Sequence, residues 1–419
     1  MSPHRIRVGR VTDPAHFLAT DQTVWFSEVY SAPVEEQLIG LPEEHRFAAD
    51  LDESEPGTYP GVYAVFPMTL SIPGEGDGRQ VPCAGLTWVG VHPDHRRKGV
   101  LTAMLRHHFE EVHAQRGVHV SVLHASEPTI YGRHGYGLAA LELQVTLSRG
   151  TTLTAPHLED AAAEVTTQLE TVSGAEVPKR MRECHLGAAD LGSVVGEAGY
   201  YARLCAQLPE ELRDKESWRV LFARRGGQDV GFAMFRRTHK WERSRPSGEL
   251  SVWGLVGDPV ARLALLRRLV DFDLMGSVKV TVGVDDPLLA WVGGPRTTAD
   301  IGTYDNLWVR LVDLPEALQD RSWSAPCDVV VEVADSAAPW NHGRWRVMAD
   351  SSGRATVERT GGDADVSLPV EALGAAYLGG GNLVAMQRAG LVAERRAGAV
   401  RELWRAMRTD VAPTAAFMF

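Results

Sequence analysis

The chain has 419 residues, which suggests about three domains. It carries 43 Lys and Arg against 54 Asp and Glu, a formal charge of −11, which argues against a nucleic-acid partner and suits a cationic substrate or plain solubility. No stretch approaches the ~20 apolar residues of a membrane span, and residues 1–7 lack the apolar core of a secretion signal. The four cysteines, Cys83, Cys184, Cys205 and Cys327, have no metal-ligand spacing. The expectation is a cytoplasmic protein with free thiols, no metal and no membrane partner.

Trp25, Phe26 and Glu28 fall in an N-terminal helical region, and Asp50-Leu51-Asp52-Glu53-Ser54-Glu55 reads as an acidic, solvated loop. The alternation over Leu86-Thr87-Trp88-Val89-Gly90-Val91 predicts a strand, His92-Pro93-Asp94-His95 a turn, and Leu101, Met104, Leu105, Phe109 and Val112 an amphipathic helix. Between turn and helix stands Arg96-Arg97-Lys98-Gly99. A strand, a Gly-bearing turn and a helix N-terminus together offer backbone N–H groups and a positive helix end to a pyrophosphate. The three basic side chains add charge there, and Gly99 permits close approach. Neither Gly-x-Gly-x-x-Gly nor Gly-Lys-Ser/Thr is present, so the pattern is not that of a dinucleotide fold or a P-loop. His107, His108 and His113 do not share a metal-binding spacing and read as surface or boundary histidines.

A second strand, Val118 to Leu123, leads into His124-Ala125-Ser126-Glu127-Pro128-Thr129-Ile130-Tyr131-Gly132-Arg133-His134-Gly135-Tyr136-Gly137. Ser126 reads as the N-cap of a short helix and Gly135 as its stop. The alternating strand Leu141 to Leu147 closes the first unit. Residues 250–266 repeat the strand, turn and amphipathic helix of 86–105, but without the Arg-Arg-x-Gly cluster, and read as a faded copy with no cofactor site. From Leu314 the predicted strands are 328–333, 343–348 and 355–360. Helices are predicted over 370–378, 383–389 and 399–407, and Gly379-Gly380-Gly381 reads as a flexible connector. The chain ends Pro413-Thr414-Ala415-Ala416-Phe417-Met418-Phe419.

The segment Arg96-Arg97-Lys98-Gly99-Val100-Leu101 resembles the acetyl-CoA signature of GCN5-related N-acetyltransferases, with Leu101 where the family has a small residue. Together with His124 to Gly137 and the terminal Phe, it resembles the enhanced intracellular survival (Eis) acetyltransferases of actinobacteria. That resemblance implies an α+β chain of tandem GCN5-related acetyltransferase folds followed by a sterol-carrier-protein-like α+β domain. The corresponding units are 1–150, 151–313 and 314–419.

The resemblance also implies acetyl-CoA as co-substrate, a cationic amine acceptor such as an aminoglycoside, and a homohexamer. Backbone groups at Val89, Gly90 and Val91 would take pantetheine and the thioester oxygen, as an oxyanion hole does. The pyrophosphate would take N–H groups across Arg97 to Thr102, including those of Val100 and Leu101, with Ser126 and Glu127 near the cofactor arm. Tyr131 would protonate the departing thiolate, and the Phe419 carboxylate would serve as base. Trp25, Phe26 and Glu28 would form the acceptor wall. Met418 stands where the family position can be acidic, which removes one carboxylate for a cation. The alternatives are a protein lysine or polyamine acetyltransferase, or a non-catalytic acetyl-CoA-binding sensor.

Overall fold

A computed structural model describes residues 6–27, 30–51, 57–74, 78–188, 190–208, 212 and 216–419. The chain gathers into two compact units: Met1–Ala140 with Asp305–Pro413 and Phe419, and Leu141–Tyr304 with Thr414–Met418.

In the first unit one sheet runs in the order Ile6–Arg10, Arg46–Leu51, Gly61–Ile72, Arg79–Val91, Val120–Leu123, Trp308–Leu311, Gly137–Leu138. The first four strands pair antiparallel. Arg79–Val91 and Val120–Leu123 pair parallel. The connection between them is the helix Val100–Ala114, which buries Val100, Met104, Leu105, His108, Phe109 and Val112. That spacing is one helical face, and it closes a core with Phe47, Tyr63, Val65, Leu86 and Leu123. Pro14–Val24 starts at Asp13, whose carboxylate accepts from the Ala15 and His16 N–H groups.

The same unit holds a second sheet: Ala355–Arg359, Gly343–Ala349, Cys327–Ala334, Val366–Pro369, Ala393–Glu394. Its helices are Val370–Ala376, Leu383–Arg388 and Ala399–Met407. The strands and helices predicted for this region are all present. The glycine run is not the flexible connector expected. A Cβ at Gly380 would lie 2.4 Å from the Ala139 carbonyl oxygen, and one at Gly381 2.4 Å from that of Ala375. Only glycine lets these backbones meet, so the run is a close-packed turn.

The second unit has the sheet order Asp300–Asp305, Leu141–Ser148, Met275–Gly283, Gly248–Gly257, Gln228–Thr238, Arg219–Arg225, Thr166–Thr171. Leu141–Ser148, expected to close the first unit, pairs here with Met275–Gly283 in an antiparallel ladder. The place beside Val120–Leu123 in the first sheet is taken by Trp308–Leu311. The two sheets share a plan. Each has an antiparallel pair with a bulge, a crossover helix, and a parallel strand that pairs only near its start. In the second unit that helix is Pro259–Val270. Cys83, Cys184, Cys205 and Cys327 are buried, free thiols, and no described helix is long and apolar enough to cross a membrane.

One buried ion pair joins the two sheets of the first unit. Both side chains are essentially without exposure, and Nη2 of Arg310 donates to Oδ2 and Oδ1 of Asp335 at 2.7 and 2.8 Å. The Asn341 amide and the Ala337 and Ala338 N–H groups also donate to the Asp335 carboxylate. The guanidinium lies 4.8 Å from the Phe109 ring centroid. Removing one partner leaves a buried uncompensated charge, which costs about 3–5 kcal/mol. Asp335→Asn is expected to lose stability on that scale in urea unfolding. A loss under about 0.5 kcal/mol, the size of an ordinary surface change, would contradict the account.

Candidate functional site

The parallel ladder between Arg79–Val91 and Val120–Leu123 registers only at Ala84 with Ser121 and Gly85 with Val122. Beyond Gly85 the two strands part. The antiparallel partner of the same strand registers Val62 with Gly90 and Ala64 with Thr87, so Trp88 and Val89 form a bulge. Trp88 has φ 54°, and its ring stacks on Phe17 at 5.7 Å. A bulge bends its strand and re-aims the backbone. Val89, Gly90 and Val91 therefore lie on the departing arm, with Gly90 packed so closely that a Cβ would fall 3.1 Å from Val24.

The departing strand runs through a short turn at Pro93–His95 into Arg96-Arg97-Lys98-Gly99. All four are exposed. Arg97 has φ 62° and Gly99 φ 89°. Gly99 is the N-cap of Val100–Ala114, and no side chain caps it. The first backbone bond of the helix runs from Ala103 N–H to the Gly99 carbonyl at 3.0 Å, so the N–H groups of Val100, Leu101 and Thr102 lie outside its hydrogen-bond ladder. Leu101 turns its side chain against the core. Positive-φ backbone feeding an uncapped helix end is a geometry that suits an anion.

The second strand of the pair ends at Leu123 and continues through His124, Ala125, Ser126 and Glu127 to the one-turn helix Pro128–Tyr131. Ser126 and Glu127 are exposed. The N-cap is Glu127 rather than Ser126, because the residue before proline is held extended, here at φ −128°, while Pro128 opens the turn. Gly135, at φ 84°, ends the following turn as expected. Tyr131 is 7% exposed and meets Tyr136 edge-on at 5.9 Å. Burial, with the Glu127 charge adding to it, pushes its hydroxyl up to about 12. The group is therefore protonated across the neutral range.

Phe419 belongs to the first unit. Its ring is edge-on to His124 at 4.9 Å, and a Cβ at Gly85 would come within 3.2 Å of it. The Phe419 side chain therefore sits where the two strands separate. His124 is the residue that sequence reasoning missed. Its only local signal is its place between strand and Tyr131 helix, and nothing local shows a contact 295 positions away. Trp25 and Phe26 are 48% and 92% exposed, just beyond the end of Pro14–Val24. Glu28 lies outside the described residues. Among the described residues no group of three or more His, Cys, Asp or Glu could hold a metal.

The three helix histidines serve packing. His107 Nδ1 meets Tyr63 OH at 2.7 Å, and His113 stacks on Trp340 at 4.4 Å. His108 is not the boundary residue expected. It is 1% exposed, and its Nε2 meets Ser121 Oγ at 2.8 Å, which in turn meets Tyr136 OH at 2.8 Å.

The second unit caps the helix end that the first leaves uncapped, and a ring of the C-terminal tail enters its strand gap as Phe419 enters that of the first. At the N-terminus of Pro259–Val270 the Asp258 carboxylate accepts from Ala261 N–H at 2.8 Å and pairs with Arg225 at 2.8 Å. Its own carboxylate thus takes the place of an anion. Where Gly248–Gly257 and Met275–Gly283 part after Ser251, the Phe417 ring fills the gap. A Cβ at Gly254 would fall 2.2 Å from that ring, which also stacks on Phe232 at 5.9 Å.

Residues 19–139 and 192–311 each match an acetyltransferase (GNAT) domain, and residues 314–416 match a sterol carrier protein domain. An uncharacterized N-acetyltransferase of Streptomyces avermitilis is 38% identical over 84% of this chain and 85% of its own. The chain belongs to the Eis-like N-acetyltransferases. The N-acetyltransferase Eis of Mycobacterium tuberculosis is 27% identical over 86% of this chain and 85% of its own. The crystal structure of Eis1 from Mycobacterium abscessus superposes with a TM-score of 0.79 at 28% identity, covering 99% of this chain and all of that one. This Eis-like protein is thus an enzyme of the acetyltransferase class, with two GNAT folds and a sterol-carrier-like region.

The buried His108 gives this Eis-like enzyme a pH signature. Burial, reinforced by neighbouring His107, lowers its pKa to about 3 from 6.5. Below about pH 6.5 the unfolded chain takes up a proton that the folded chain refuses. Stability present above pH 6.5 is therefore lost as the pH falls toward 3. Between pH 7.5 and pH 5 the group accounts for about 2 kcal/mol of lost unfolding free energy. His108→Gln is expected to shrink the pH-dependent loss by that amount. An unchanged pH dependence in the variant would show that His108 titrates normally.

Proposed function

We propose that this enzyme transfers the acetyl group of acetyl-CoA directly to cationic amines, with aminoglycosides as the leading substrate class. The observation that carries the reading is the seat of Phe419 against His124 and Gly85, at the parting of the two strands. It sets the terminal residue beside the arm that bears Val89–Val91 and on the segment that leads to Tyr131.

In this reading the pyrophosphate lies over Arg96–Thr102, held by the uncapped N–H groups and the arginine and lysine charge. Pantetheine follows Val89–Val91, and Ser126 and Glu127 flank the cofactor arm. The acceptor nitrogen, freed of its extra proton, attacks the thioester carbonyl carbon. The carbonyl oxygen takes the developing charge and is met by backbone N–H groups. The C–S bond then breaks, and the thiolate takes its proton from the Tyr131 hydroxyl. The Phe419 carboxylate receives the amine proton through water. A free α-carboxyl is a weak base, with a reference pKa of about 3.3–3.7, so its first contribution is to anchor the cation. Trp25 and Phe26 line the acceptor side.

We assign cofactor binding to the first unit alone. The Asp258 cap supports that assignment, since it takes the helix N–H group whose counterpart is left uncapped in the first unit. Residues 1–140 with the strand Trp308–Leu311 are then the catalytic fold, residues 141–304 the cofactor-free copy, and 314–419 the region that carries Phe419. The resemblance to Eis supports a homohexamer in the cytoplasm.

Thiol release from acetyl-CoA, followed across an amine panel, tests the reading. Multi-amine sugars should outpace a neutral arylamine, and Tyr131→Phe should lower turnover by about 10²–10⁴ with acetyl-CoA affinity kept. Equal rates on the neutral amine, or full turnover by Tyr131→Phe, would contradict it.

A further inference from the structure

The loop that carries Tyr131 is held by parts of the chain that lie outside the acetyltransferase segment. A Cβ at Gly137 would fall 2.0 Å from the Glu371 carbonyl oxygen and 2.2 Å from Ala375 N. One at Gly374 would fall 2.3 Å from the Val309 carbonyl oxygen and 3.2 Å from Gly137 N. The helix Val370–Ala376 and the strand Gly137–Leu138 thus meet backbone to backbone, with no side-chain layer between them. At Gly135 a Cβ would meet Val370 Cγ1 at 2.7 Å and Arg310 Nε at 2.9 Å. Val370 is 3% exposed.

The other side of the loop is pinned as well. Tyr136 OH reaches Ser121 Oγ at 2.8 Å, and Tyr136 N–H donates to the Tyr131 carbonyl at 3.3 Å. Tyr131 rests its ring against that of Tyr136. A shift of helix Val370–Ala376 therefore has no slack to dissipate in before it reaches the backbone beside Tyr131.

We propose that the sterol-carrier-like region serves catalysis as a brace, with Val370 and its helix acting as positioning elements that fix the loop of Tyr131. The proposal rests on the reading of Tyr131 as the acid. Misplacement by ~1 Å can cost ~10²-fold in rate, so a brace of this kind has a measurable effect without touching substrate.

The test is a cycle in the full-length enzyme: Val370→Ala alone, Tyr131→Phe alone, and both together. Val370→Ala is expected to lower kcat by ~10-fold or more while the KM for acetyl-CoA stays within about twofold and the circular dichroism spectrum is unchanged. In the Tyr131→Phe background the same substitution should change kcat by less than about twofold, because the group being positioned is already gone. Val370→Thr, which keeps the β-branched shape, should retain kcat. Val370→Cys, which keeps one γ atom, replaces the alanine variant if that one fails to fold. An unchanged kcat, or the same loss in both backgrounds, overturns the brace and leaves the acid role of Tyr131 standing. Full turnover by Tyr131→Phe alone overturns the acid role and the brace with it.

Discussion

Two parallel strands that separate leave backbone N–H and C=O groups without ladder partners, and such groups must be satisfied from elsewhere. Most of what is functional in this protein follows from that constraint. In the first sheet the ladder stops at Gly85 and Val122. The bulge at Trp88 and Val89 turns the departing strand away, and the helix after it begins at a glycine with no side-chain cap. At the helix end the N–H groups of Val100, Leu101 and Thr102 lie outside the helical ladder. The Phe419 ring enters the gap between the strands, against His124 and Gly85.

The second unit shows the same fold with the constraint satisfied internally. There the carboxylate of Asp258 takes the helix N–H group that an anion would otherwise take, and Arg225 balances its charge. The Phe417 ring fills the strand gap, with His185 edge-on to it at 5.8 Å. One short tail supplies an apolar plug to the second sheet through Phe417 and a terminal ring to the first through Phe419. The copies differ at the helix end: Gly99 carries no cap, whereas Asp258 caps its helix.

The local elements were legible because their signals are local. Helix Val100–Ala114 was visible in the spacing of Met104, Leu105, Phe109 and Val112, and Arg96–Gly99 marked its mouth. The turn at Gly135 and the strands and helices of the C-terminal region likewise followed from periodicity and punctuation. Partnership was not legible. Alternation over Leu141–Ser148 shows a half-buried strand but not which sheet it joins, and Trp308–Leu311 enters the first sheet from far along the chain. His108 read as a boundary residue because the pairing that satisfies it, through Ser121 and Tyr136, comes from another strand and the Tyr131 loop. The glycines at 379–381 read as slack, yet they exist for close contact with Ala139 and Ala375. Tyr131 and Phe419 stand out in the sequence by resemblance, whereas the place of His124 shows only in its contact with the Phe419 ring.

The account stands or falls on the terminal carboxylate of Phe419. Steady-state turnover of the untagged enzyme, compared with a form extended by a few residues after Phe419, tests it most directly. The extension moves the charge and puts a neutral peptide bond in its place, while Arg96–Thr102, the proposed pyrophosphate cradle, is untouched. The account predicts a loss of ~10²-fold or more in kcat with acetyl-CoA binding unchanged by calorimetry. Full turnover by the extended enzyme would show that the base is a side chain and that Phe419 only fills the gap between the strands.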